Sequence, residues 1–153
     1  MGNLRKMMIE QLDEKLLAFS DAGEIKNPGK GWINGIRTTL NMTLEQLGKK
    51  LGITRQGARR IELSEASGTI SINLLREAGK VLNMKLVYGF VPIHGSIDAL
   101  ITQKSNELAR RIVMRTNQTM MLENQATGKE NIERSIAELS DEIKKQMARS
   151  LWD

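Results

Sequence analysis

Arg55, Gln56, Arg59 and Arg60 place three guanidinium groups and one carboxamide within six residues, at the spacing of one side of a helix. Arginine can hydrogen-bond guanine through two donors, and glutamine can do the same for adenine. The chemistry such a set could perform is the reading of base edges in duplex DNA. A solvated basic helix face is the plainer alternative, and the distribution of charge weighs against it. Residues 26–62 carry 8 basic and 2 acidic groups, whereas residues 96–153 carry 9 of each. The excess behind the chain's net charge of +5 is therefore concentrated around these arginines. That is where an electrostatic footprint for phosphates belongs.

The residues around them predict two short helices joined by a turn. Thr43 has a hydroxyl suited to an N-cap, and Leu44, Leu47 and Leu51 recur at helical spacing behind it. Gly48 falls inside that helix, where glycine costs about 1 kcal/mol relative to alanine, so a close helix crossing is expected there. Gly52 suits the left-handed residue that ends a helix. Ile53 is expected to plug the turn, and Thr54 to cap a second helix running from Arg55 to about Leu63, with Ala58 and Ile61 inward. This is the pattern of a helix-turn-helix, whose second helix enters the major groove by its N-terminal part. The candidate DNA-binding residues are Thr43, Thr54, Arg55, Gln56, Arg59 and Arg60.

The rest of the 153 residues reads as helical with one exception. Leu4, Met8, Leu12, Leu16 and Phe19 form a stripe that predicts a helix over about residues 3–19. Trp32, Ile36 and Leu40 mark a helix ahead of the two-helix motif, and Ser71 caps another with Ile72, Leu75, Ala78 and Leu82 inward. Residues 84–91 alternate and are rich in β-formers, so they predict a strand that Pro92 stops. A lone strand cannot satisfy its backbone groups, which points to a second subunit or another protein. Beyond it, Ile97, Leu100, Ile101, Leu108 and Ile112 predict a helix reaching about Gln125, broken by Gly128. Ile132, Ile136, Leu139, Ile143, Met147 and Leu151 continue the pattern, with Ser140 able to cap a fresh helix. The expected organisation is an N-terminal helix (1–25), a DNA-binding domain with the strand (26–95) and a C-terminal helical extension (96–153).

Composition narrows the classes. Hydrophobic residues make up 40% of the chain and aromatics only 3%, so aliphatic residues and nine methionines must fill the core. Cysteine is absent, which excludes disulfides and cysteine metal sites and fits a cytoplasmic setting. No apolar run approaches the roughly 18 residues of a membrane span, and the N-terminus lacks the apolar core of a signal peptide. His94, the one histidine, follows Pro92 in an expected turn and has no second histidine or cysteine with which to form a zinc site. No nucleophile–base pair and no phosphate-binding glycine run is visible, so neither enzyme chemistry nor a cofactor is expected. Met7, Met8, Met120 and Met121 read as packing or partner contacts, and Trp152 as an anchor on a partner or a cover for the core.

The stretch from Lys30 to Pro92, with its SEASGTI and KLVYGFVP segments, together with TMMLENQ at 119–125 and the terminal LWD, resembles the mobile mystery protein A family. The resemblance covers most of residues 30–125. It implies a mainly α chain with an Xre/lambda-repressor-like helix-turn-helix domain, one short β-strand and a C-terminal helical extension. It further implies an antitoxin partnered with a Fic-domain toxin similar to mobile mystery protein B, an enzyme type that transfers AMP. The inhibitory helices of Fic enzymes resemble the pattern Ser/Thr-x-x-x-Glu-Gly/Asn, matched here by Thr119, Glu123 and Asn124. In such inhibitors the glutamate pairs with an arginine of the toxin's phosphate-binding motif, a strong bidentate contact. Glu123 would otherwise be a solvated helical glutamate. The expected partners are thus the Fic-domain toxin and double-stranded operator DNA, with a homodimer or a toxin–antitoxin hetero-oligomer as the assembly. The alternative is a free-standing Xre-type repressor whose extension only dimerises it.

Overall fold

A computed structural model describes residues 2–116, 128–147 and 149–153. The described residues are mainly helical: α1 (Gly2–Leu17), α2 (Trp32–Thr39), α3 (Leu44–Leu51), α4 (Arg55–Ser67), α5 (Ile72–Val81), α6 (Ile97–Thr116) and α7 (Gly128–Gln146). Short 3₁₀ turns occupy Asp21–Glu24 and Arg149–Trp152. No helix among them is long and apolar enough to cross a membrane. The chain forms two compact units, one made of residues 24–88 and the other of residues 1–23 with 89–153.

In the 24–88 unit, Ile33, Leu47, Ala58, Ala78 and Leu82 form the buried centre, one or two from each of α2 to α5 and its end. Ser71 caps α5 by accepting from the Leu74 N–H at 3.1 Å. Ile72, expected inward, is half exposed, and Ile70 just ahead of the cap packs on the core in its place.

The other unit is a helical assembly built on α6 and α7. Ile101, Ala109, Val113, Ile132, Ile136, Ile143 and Leu151 are its core, with Ile9 of α1 packed against it. The N-terminal helix belongs to this unit: Asp13 accepts from the backbone N–H groups of Ile97 (2.7 Å) and Asp98 (3.2 Å) and so caps α6. Two expectations are corrected here. The α1 stripe of Leu4, Met8 and Leu12 is largely exposed, since Ile9 and not that stripe lies on the core. Ser140 does not start a new helix: it is buried within α7, where its hydroxyl donates to Asn106 of α6. On α6, Val113 is buried and Ile112 is half exposed. At the C-terminus Leu151 covers the core and Trp152 is exposed.

Ser105 lies fully buried in α6, and its hydroxyl has no hydrogen-bond partner among the described residues. An unsatisfied buried hydroxyl costs about 1–3 kcal/mol. Ser105→Ala is therefore expected to raise the stability of this unit by about 1 kcal/mol, read from the midpoint of urea unfolding. A loss of stability would mean that the hydroxyl has a partner.

Residues 84–91 are the largest departure from expectation. They carry no strand, turn or bend, and no strand occurs among the described residues. A β-ladder needs a second segment beside it, and nothing within the chain's described residues takes that place. Among the described residues, the backbone N–H groups of residues 85–91 have no backbone partner, whereas that of Met84 still bonds to Gly79 at 2.8 Å.

Candidate nucleic-acid interface

The α3–α4 pair is built by local chemistry. The Thr43 hydroxyl accepts from the Gln46 N–H at 3.1 Å, and the Gln46 side chain accepts from the Thr43 N–H at 2.8 Å. This reciprocal pair satisfies two N–H groups that the helix itself cannot. Gly52 ends α3 with φ 71°, in the left-handed region open to glycine. The Ile53 and Gly52 N–H groups then bond to the carbonyls of Gly48 (2.8 Å) and Lys49 (3.2 Å). Thr54 caps α4 by accepting from the Gly57 N–H at 3.0 Å.

Gly48 is required by this turn and not by a helix crossing. A Cβ there would stand 2.8 Å from the Thr54 carbonyl oxygen and 2.9 Å from that of Ile53. Ile53 itself is 39% exposed, so it lies over the start of α4 beside Gly57 and does not seal a core.

α4 separates its charges by face. Arg55, Gln56, Arg59 and Arg60 are all exposed. Arg55 and Arg59 are four apart, as are Gln56 and Arg60, so the four side chains form two neighbouring rows. None of the three arginines makes an ion pair among the described residues. Thr43 and Thr54 stand at the two helix starts, and their hydroxyl hydrogens are not used by the caps. The six candidate residues thus lie on consecutive elements of one unit.

The acids of α4 face the other way. Glu62 is buried and accepts from Arg37 Nε, from Arg37 Nη2 at 3.3 Å and from Asn34 Nδ2 at 3.1 Å. Arg37 also donates to the Met42 carbonyl at 2.7 Å, tying down the α2–α3 connection. Glu65 accepts from the backbone N–H groups of Trp32 (2.9 Å) and Ile33 (2.8 Å). It supplies the cap that α2 lacks locally, since Gly31 has no side chain. Carboxylates are favoured at helix N-termini, where free N–H groups point outward.

The roles of Arg37, Glu62 and Glu65 emerge only from the structure. Their signal was present: Ala58, Ile61, Glu62 and Glu65 share the inward i, i+3, i+4, i+7 stripe, and an acid on an inward stripe calls for a partner. With Arg37 paired to Glu62, Lys26, Lys30, Lys49 and Lys50 are the other basic residues of 26–62, all exposed, and Glu45 is the exposed acid of that stretch.

Thr119, Glu123 and Asn124 lie outside the described residues, beyond the end of α6 at Thr116. His94 is exposed in the turn after Pro92. No protein-family model, curated protein or solved structure matches the chain.

Proposed function

We propose that this chain is an Xre/lambda-repressor-like DNA-binding protein that acts in the cytoplasm as the antitoxin of a Fic-domain AMP-transferase and represses its own operon. The observation that carries the DNA-binding half is the outer face of α4. Three arginines free of ion pairs among the described residues and one glutamine stand on a helix held by its own cap, while both of its inward acids are engaged in the fold. Such a face can meet phosphates and base edges without first breaking internal contacts. In a two-fold assembly it would address half-sites one helical turn, or a multiple of it, apart.

The antitoxin half rests on the resemblance described above and assigns the inhibitory contact to Thr119, Glu123 and Asn124. The free-standing repressor is the alternative to this half only.

One preparation tests both halves. The chain is co-purified with the Fic-domain protein encoded beside it, as wild type and as Glu123→Gly. AMP transfer that returns in an intact variant complex supports Glu123 as the inhibitory group. Silence in both places inhibition on another surface, and failure to co-purify leaves the repressor alone. On a duplex spanning the chain's own promoter, Arg55→Ala is expected to lose about 1–3 kcal/mol of affinity and to relax base preference at one position. A uniform loss over all sequences would make Arg55 a phosphate contact instead.

A further inference from the structure

Within the 24–88 unit, α2, α5 and the chain that follows α5 form a cleft of about 300 Å³. Trp32, Ile33 and Ile36 line it from α2, Leu75 from α5, and residues 84–87 from the third side. That third side is fastened where it begins. The Met84 N–H donates to the Gly79 carbonyl at 2.8 Å, and a Cβ on residue 79 would stand 3.2 Å from the Met84 carbonyl oxygen. The glycine thus gives the chain room to pass close to α5. The Trp32 indole is held as well, because its Nε1 donates to Asn27 Oδ1 at 3.0 Å.

The chemistry of the lining is one-sided. Every lining side chain is apolar except that of Lys85, and none carries a carboxylate, an amide or a hydroxyl. Lys85 makes no ion pair among the described residues. The backbone N–H groups of Lys85, Leu86 and Val87 have no backbone partner there either. The same residues also present carbonyls, so it is the single ammonium that sets the sign of the site. Small-molecule sites are concave, about 300–1,000 Å³ in volume, and mostly apolar with a few polar groups that orient the ligand. A helix, about 10–12 Å across with its side chains, is too wide to enter a space of this size. Trp32 is 42% and Val87 66% exposed, so apolar surface at the cleft is left bare.

We propose that this cleft binds a small molecule with an aliphatic tail and a carboxylate head, a free medium-chain fatty acid. The tail lies against Trp32, Ile36 and Leu75, and the carboxylate meets Lys85. Ile33 and Leu82 belong both to the cleft and to the buried centre that Ala58 of α4 shares. Occupancy therefore adds to the packing that holds α4. The site stands independently of what α4 binds, because no residue of its outer face takes part.

Trp32 is the reporter. In full-length protein carrying Trp152→Phe, its fluorescence is followed at neutral pH as butanoate, hexanoate or octanoate is added below micelle-forming concentrations. A saturable change is expected, with a dissociation constant that falls about fourfold for each added methylene. Octanoate should also raise the melting temperature, as a ligand of the folded state does. Octan-1-ol, with the same tail and no charge, should bind at least tenfold more weakly. Lys85→Met should erase that difference and leave the helical circular dichroism signal unchanged, since Lys85 is exposed. The absence of a saturable change at every chain length overturns the inference, as does an affinity indifferent to chain length or a melting temperature that falls. Octan-1-ol binding as tightly as octanoate overturns the carboxylate head, and a difference that survives Lys85→Met overturns the role of Lys85.

Discussion

Glu62→Ala is expected to cost the 24–88 unit about 3–5 kcal/mol, the range for removing one partner of a buried ion pair. The reason is the group left behind. Arg37 keeps its charge in a site where the Glu62 carboxylate accepts from its guanidinium, while its remaining bond goes to the Met42 carbonyl. Asn34 loses its acceptor in the same step. The measurement is convenient because the chain's two tryptophans, Trp32 and Trp152, fall one in each unit. With Trp152→Phe as background, fluorescence during urea unfolding follows Trp32 alone. The conservative Glu62→Gln keeps shape and one acceptor and is expected to lose less. Replacing both partners with apolar residues of similar volume, as in Arg37→Met with Glu62→Leu, should recover much of the loss. A Glu62→Ala loss below about 1 kcal/mol would show the pair to be solvated and of little consequence.

Gly48→Ala is expected to destabilise the same unit by about 1–3 kcal/mol, and Gly48→Val by more than about 3 kcal/mol. Helix propensity alone gives the opposite sign, since alanine is favoured over glycine by about 1 kcal/mol inside a helix. The steric term wins because the obstacles are two backbone carbonyl oxygens, 2.8 and 2.9 Å from the new Cβ. A side chain could rotate away, but these oxygens move only if the whole α3–α4 turn moves. Gly57→Ala is the contrasting control: its Cβ would meet side-chain atoms of Thr54 and Ile53 at 3.3–3.4 Å, a contact that those groups can relieve. Stabilisation by Gly48→Ala would show that the turn yields at little cost.

The parts of this fold legible in the sequence are those whose cause is local. Thr43, Thr54 and Ser71 each cap the helix they immediately precede, and Gly52 ends the helix it follows, so short windows contain the whole interaction. The outward set on α4 was legible for the same reason. Gly48 stands out in the sequence, but its close neighbour is the α3–α4 turn and not a helix crossing, because a glycine signals a close approach without naming what approaches. The Arg37–Glu62 pair and the Glu65 cap join residues 25 to 33 positions apart, and no periodicity encodes such a pairing. For α1 the stripe was real, but amphipathic sequence alone does not say which side meets the core, and Ile9 decided it. Residues 84–91 show the limit most plainly. Alternation fixes which side chains share a face, but a strand exists only once something lies beside it.

The arrangement of α4 has a consequence for how such a chain can change over generations. Within α4 the contacts to the rest of the unit come from positions 58, 61, 62 and 65, with the Thr54 cap at its start, whereas the four outward positions 55, 56, 59 and 60 are exposed and form no ion pair among the described residues. Substitutions on an unencumbered surface usually stay within about 0.5 kcal/mol in stability. If this face reads DNA as proposed, recognition can therefore drift, or be rewritten by design, one outward residue at a time without passing through an unfolded intermediate sequence.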